Sequence, residues 1–449
     1  MEIRISHCWL TVKTMPNLNI FCNTPWYEAH IYWDGSFGIC CQESRKLYAE
    51  SETQYNIKTM SLADWFNSTP AKRFRMEMFG DTGTSICNRC YEEQDTSGTS
   101  RRHRSNQKSV IFTKTAFSES FDQSPGYNRF MFSKGMDGIT DSMPIDLHID
   151  LGNYCNLACK MCWSSASSKI ATQYVKWGHT DHKQYLGSDW TKNTETWNKF
   201  LKELLIIPKL KNIHFMGGET LLTGRFEELV DFMIAHNRFD VCFSFVTNGT
   251  RFNESLINKL KKFERVGIEV SIETVTAHND YVRQGTDTTV VLANIQRYLQ
   301  HCDNTSITVT IRPAVSALTV GHYYTLLEYC LEHKLIIKSL IVTTPAYLDI
   351  NVLPTAVKLQ YLQYYRTILD TLEEIDTNSD FNESDAGNYK KSVKQQATQI
   401  INILTSTSKN KQDLLPQLVY MCKQWDEVYK FDATTLYPEL AGVLGKYGY

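Results

Sequence analysis

From Pro144 to about Pro345, short runs of β-branched and aromatic residues alternate with longer amphipathic runs. Ile145–Leu151, Asn212–Met216, Val241–Thr247, Gly267–Glu273, Ile307–Arg312 and Leu335–Thr343 read as strands punctuated by Gly, Asn or Pro. Ser164–Trp177, Arg225–His236, Glu254–Phe263, Thr289–His301 and His322–His333 read as helices between them. Alternation of this kind predicts parallel strands joined by right-handed crossovers. Glu269, Ser271 and Glu273 fall on one face of a single strand. Such a polar face suits the lining of an open, hydrated barrel better than the underside of a helix. The expected fold is therefore α/β, a partial (β/α)6 TIM-like barrel over residues 143–350.

The flanks differ in texture. Residues 1–110 are rich in Cys and aromatics and predict a small α+β domain, joined to the barrel by a Ser- and Gly-containing linker at 111–142. Within that domain, Glu28–Trp33 and Phe37–Ile39 around Asp34-Gly35 predict a hairpin. Residues 351–449 predict a helical extension, with helices at 355–376 and about 390–430 separated by the polar Asp376–Gly387.

Charge changes this picture little. Lys+Arg 47 against Asp+Glu 49 in 449 residues points to neither nucleic acid nor an acidic surface. No apolar run of about 18 residues exists to cross a bilayer, and Met1–Leu10 lacks the apolar core of a signal peptide. A cytoplasmic protein is expected, so the 13 cysteines are not expected to pair as disulfides. Cys8, Cys242, Cys302, Cys330 and Cys422 stand singly and read as plain thiols.

The clustered cysteines need another account. Cys155, Cys159 and Cys162 directly follow the first barrel strand. In barrel enzymes, loops at the C-terminal ends of strands build the active site. Soft thiolates suit zinc or iron–sulfur clusters, but closed sites of either kind want four protein ligands. Three thiolates leave one iron of a [4Fe–4S] cluster open to a cofactor.

This CxxxCxxC segment resembles the signature of the radical S-adenosylmethionine (SAM) superfamily. Gly217-Gly218-Glu219 after the second strand and Thr247-Asn248-Gly249 after the third resemble further family motifs. The resemblance implies a [4Fe–4S] cluster on Cys155, Cys159 and Cys162 that reductively cleaves SAM to a 5′-deoxyadenosyl radical, which abstracts hydrogen from substrate. It implies cofactor contacts from Gly217, Gly218, Glu219, Thr247 and Asn248, from Ser271 and Glu273 near the ribose, and from Arg312 near the methionine carboxylate. Relatives often carry an aromatic residue before the third cysteine; Met161 stands there, polarisable enough to pack on adenine.

Cys22, Cys40, Cys41, Cys87 and Cys90 form a second group, which with Asp34-Gly35 and Ser61–Asn67 resembles the SPASM or twitch auxiliary-cluster domains. In the better-known members that domain follows the barrel; here it precedes it. Cys22, Cys40, Cys87 and Cys90 would close a four-thiolate site. Strand alternation points Cys40 and Cys41 oppositely, and the family pattern favours Cys40. The group would hold a second iron–sulfur cluster or a zinc ion. The implied activity is that of an oxidoreductase-type radical SAM enzyme, acting on a peptide or on a sugar or nucleotide-linked molecule and served by flavodoxin or ferredoxin. Arg101-Arg102-His103-Arg104 reads as a solvated basic loop. A non-catalytic zinc-binding interaction protein is the alternative of another class.

Overall fold

The computed structural model describes residues 17, 19–43, 55–80, 82–98, 100–108, 130, 132–187, 189–207, 209–377, 388–406 and 410–449. Cys8, most of the 111–142 linker and residues 378–387 lie outside them. The chain divides into two compact units: residues 1–28, 39–51 and 62–144 in one, and 29–38, 52–61 and 145–449 in the other.

Among the described residues twelve strands are numbered in chain order: β1 Glu28–Ile31, β2 Phe37–Gly38, β3 Asp146–Asp150, β4 Ala158–Cys159, β5 Asn212–Met216, β6 Cys242–Thr247, β7 Val266–Val270, β8 Arg283–Gln284, β9 Ile307–Ile311, β10 Ala314–Val315, β11 Ile336–Ile337 and β12 Leu340–Ile341. The second unit is built on the sheet β11-β9-β7-β6-β5-β3-β1-β2. Its six strands from β3 to β11 run parallel in the order expected for consecutive crossovers. Along β3, β5 and β6 half-exposed and buried positions alternate. Leu147, Ile149, Ile213, Phe215, Phe243 and Phe245 are buried on one face. The register aligns His148, His214, Ser244, Gly267 and Thr308 across the other, so this sheet has an apolar back and a polar, partly hydrated inner face.

The crossover helices start on side-chain caps. Asn193, Thr223, Asn253 and Asp287 accept from the first-turn N–H groups of helices Thr194–Ile206, Gly224–Ala235, Glu254–Leu260 and Thr288–Cys302. Helix Thr194–Ile206 was not among the elements expected. Its spacing of Trp197, Phe200, Leu201 and Leu204, all buried, carries a plain amphipathic signal.

Three expectations are corrected. The fourth barrel strand ends at Val270, so Ser271 and Glu273 lie beyond it rather than along one strand face. The run Leu335–Thr343 splits into β11 and β12. Pro313 brings no N–H to the ladder after β9; beyond it β10 pairs instead with β12 in a separate parallel ribbon. The hairpin β1–β2 adds to the barrel sheet beside β3 instead of staying with the N-terminal cysteines.

The first unit packs helices Leu62–Phe66, Thr69–Glu77, Asn88–Ser97 and Arg101–Lys108 around Phe21, Trp26, Phe74 and Phe130. Arg75, fully buried, donates to the carbonyls of Pro25, Phe66 and Gly138 and so ties three chain segments together. The C-terminal region is helical as expected, with helices Thr355–Thr377, Asn388–Thr405, Leu415–Tyr429, Ala433–Leu436 and Pro438–Lys446. Among the described residues no helix is long and apolar enough to cross a membrane.

Phe215 stacks edge-on against Phe226 at 4.8 Å and is fully buried. Phe215→Ala is expected to cost about 3–5 kcal/mol, because the cavity can close only in part. Denaturant unfolding of the apoprotein measures this as a lower midpoint with an unchanged slope.

Candidate functional site

The three barrel cysteines lie on the loop that leaves β3. Gly152, at φ +83°, opens this loop, and a Cβ there would meet the Asp189 carboxylate at 2.6 Å. Asn153 then donates to the carbonyls of Ser164 and Tyr185, and Ser167 donates to the Leu157 carbonyl at 2.7 Å. The loop is thereby closed on itself before helix Ser168–Lys176 begins. Cys155, Cys159 and Cys162 are all free and half-buried.

Gly217 and Gly218 bring the end of β5 onto this loop. Their φ values are +72° and +56°, a region that favours glycine. A Cβ at Gly218 would meet the Tyr154 carbonyl at 2.5 Å, and the next amide, Glu219 N–H, donates to that same carbonyl at 2.8 Å. The Glu219 carboxylate, 3 % exposed, accepts from Thr247 Oγ1 at 2.7 Å, Asn248 N–H at 2.6 Å and Leu221 N–H at 3.1 Å. Asn248 Nδ2 in turn donates to Asn156 Oδ1 at 2.8 Å and lies 4.0 Å from Cys155 Sγ. The structure thus gathers Gly217, Gly218, Glu219, Thr247 and Asn248 around Cys155, at the C-terminal ends of neighbouring strands.

The remaining predicted residues are placed differently. Met161 and Ser271 are buried. Arg312 is ion-paired with Glu269 at 2.9 Å. Glu273, fully buried, engages the Arg283 guanidinium through both carboxylate oxygens. Sequence reasoning missed Arg283 altogether. Lys160, between two of the cysteines, was also missed: its ammonium is buried over the Tyr281 ring and donates to the Tyr281 carbonyl at 2.7 Å.

Burial pushes the Cys155 and Cys159 thiols up, with Arg283 acting in the opposite sense on both. Burial also pushes Cys162 up to about 12. These sites therefore hold protons until a metal displaces them. Three soft thiolate donors, one short of a closed four-ligand site, suit an iron–sulfur cluster.

In the first unit, Cys87 is the cap of helix Asn88–Ser97 and Cys90 lies in its first turn. After the larger effect of burial, Cys90 raises the pKa of Cys22, and Cys22 and Cys90 raise that of Cys87. Burial pushes the Cys40 thiol up, with Cys41 adding to the rise and Arg101 opposing it. The supposed basic loop is a helix, Arg101–Lys108. Arg101 Nε donates to Cys41 Sγ at 3.0 Å while Nη2 pairs with Glu28. Arg102 is 1 % exposed and donates to the Phe21 carbonyl.

Residues 149–320 match the radical SAM superfamily, and residues 22–91 match the SPASM iron–sulfur cluster-binding domain. These residues thus carry a radical SAM domain, with the matched cluster-binding domain on its N-terminal side. Such a domain pair implies a [4Fe–4S] cluster, SAM and an auxiliary iron–sulfur cluster.

Among curated proteins, mycofactocin maturase MftC of Mycolicibacterium smegmatis is 29% identical over 157 residues, 34% of this chain and 32% of that protein. Its counterpart from Mycobacterium ulcerans is 29% identical over 153 residues, 34% of each chain. The match thus spans about a third of the length of these relatives. Among solved structures, native anSMEcpe with bound AdoMet aligns at 19% identity and TM-score 0.38, over 52% of this chain and 62% of that one. Streptococcus suis SuiB bound to S-adenosylmethionine aligns at 13% identity and TM-score 0.33, over 67% and 62%.

Gly218→Ala is expected to displace the cysteine loop, since its Cβ has no room against the Tyr154 carbonyl. Iron and sulfide retained after anaerobic reconstitution should fall well below the wild-type content. A second prediction concerns Glu219, whose pKa is raised by burial against the hydrogen bonds it accepts. The folded apoprotein keeps that proton to higher pH than the unfolded chain. Its stability relative to Glu219→Gln should therefore fall as pH rises from the ordinary carboxyl value through the raised one, then level off. Urea unfolding of both proteins across that range measures the difference.

Proposed function

We propose that this chain is a radical SAM enzyme whose three barrel thiolates hold the SAM-cleaving cluster and whose substrate is a peptide. When bound, the cluster supplies one electron to SAM and so provides a 5′-deoxyadenosyl radical for hydrogen abstraction. Cys155, Cys159 and Cys162 are the ligands, and with three of them one iron stays open. Gly217 and Gly218 let backbone approach the cofactor closely, without side chains in the way. Glu219 holds Asn248 against the cysteine loop. Three accepted hydrogen bonds leave it about one free acceptor site for the ammonium of the cofactor. Met161 would pack on the adenine and Ser271 would meet the ribose.

The observation that carries this reading is the convergence of Asn248, Glu219 and the Gly217-Gly218 turn on Cys155. In support of the substrate class, the curated relatives are maturases, and auxiliary-cluster proteins of this family often modify ribosomally made peptides. The N-terminal ligand set is Cys22, Cys87 and Cys90 with a fourth ligand from Cys40 or Cys41, and its role is to take up or deliver an electron. A low-potential donor such as flavodoxin or ferredoxin serves the barrel cluster. Among the described residues no cysteine is in a disulfide, which suits a reducing cytoplasm.

Anaerobic reconstitution followed by dithionite and SAM is expected to yield 5′-deoxyadenosine. Cys159→Ala should abolish that product and leave iron at the N-terminal site. A wild-type protein with neither cluster absorbance nor 5′-deoxyadenosine would contradict the proposal. Mass spectrometry of candidate precursor peptides after incubation tests the substrate class.

A further inference from the structure

The segment after β7 returns to the cysteine loop and clips it. β4 and β8 pair antiparallel, which sets Cys159 directly opposite Arg283. The next amide, Lys160 N–H, donates to the Val282 carbonyl at 2.8 Å. The Arg283 guanidinium is thus delivered to one cysteine by backbone pairing rather than by a flexible approach.

Its donors are divided between two partners. Nε and Nη2 engage the two carboxylate oxygens of Glu273, with Nη2 to Oε1 at 2.7 Å. Nη1 is left to face Cys159 Sγ at 3.8 Å. Glu273 is itself fixed: Oε1 also accepts from Ala314 N–H at 3.1 Å, and its own N–H donates to Asn279 Oδ1 at 3.0 Å. The two side chains are 9% and 0% exposed. A bidentate fork leaves the guanidinium little freedom, and burial keeps water and salt from screening its charge.

We infer that Arg283 is a positioning residue that raises the reduction potential of the cluster on Cys155, Cys159 and Cys162, with Glu273 holding it in place and opposing part of its charge. The inference rests on the three-thiolate reading above. On reduction the cluster takes one electron from a low-potential donor and no proton is required. A fixed cation beside a ligating sulfur stabilises the added negative charge, and net charge and hydrogen bonding at the sulfurs are known levers on such potentials. The guanidinium faces the sulfur directly through Nη1, while Glu273 engages Nε and Nη2.

The test is an anaerobic redox titration of the full reconstituted chain, following the EPR signal that SAM perturbs. That choice separates the barrel cluster from any N-terminal one. Arg283→Gln is expected to lower the midpoint potential, Arg283→Lys to keep it nearer the wild-type value, and Glu273→Gln to raise it. A merely structural role would not move the two neutralising variants in opposite directions. Shifts of the same sign, or none, at wild-type iron content overturn the inference. If Arg283→Gln does not retain its cluster, the direction of the Glu273→Gln shift decides. A wild-type chain that takes up no iron and sulfide sinks the three-thiolate reading first, and the iron analysis tells the two failures apart.

Discussion

The carboxylate of Glu219 is the tie on which the barrel site depends. It follows the turn after one strand and accepts hydrogen bonds from the end of the next, through Thr247 and the Asn248 backbone. Its own amide binds the loop of a third, through the Tyr154 carbonyl. A parallel sheet places these strand ends side by side, but it does not by itself hold their loops together. A buried carboxylate with three donors does so, the hydrogen bonds offsetting part of the cost of burying it. Asn248 then reaches Cys155 from a position it could not keep alone.

The same device recurs at the charged end of each cysteine group. Glu273 holds Arg283 beside Cys159, and Glu28 holds Arg101 beside Cys41. In both cases the pair is largely buried, and in both a donor remains for sulfur. Burial pushes the Cys40 and Cys159 thiols up, against ionisation. A paired arginine offsets part of that resistance without leaving an uncompensated charge in the interior. The two units arrive at this arrangement from different scaffolds, a strand pair in one and a helix start in the other.

Much of the barrel was legible because its signals are local. Alternation along β5 and β6 and the glycines after β5 all appear within a few residues of one another, and periodicity carries such information well. The cysteine spacing and the Gly-Gly-Glu turn were legible for the same reason. What escaped was set by pairing at long range. Nothing in Arg283-Gln284 announces a strand, since two residues become one only by meeting Ala158-Cys159. Arg101 and Arg102 read as solvated because a charge run usually is, and only the fold supplies Glu28, Gln94 and the Phe21 carbonyl as partners. The hairpin β1–β2 was found, but its place at the edge of the barrel sheet was not. An edge strand carries no mark of the neighbour it will choose.

The central claim is that three thiolates leave one iron open to the cofactor. Mössbauer spectroscopy of chain reconstituted with iron-57, recorded with and without SAM, tests it most directly. The account predicts that a [4Fe–4S] spectrum forms, that SAM shifts the parameters of a single iron site, and that Cys159→Ala removes the responsive component. A spectrum without such a cluster, or a cluster on which SAM leaves every iron unchanged, would contradict it.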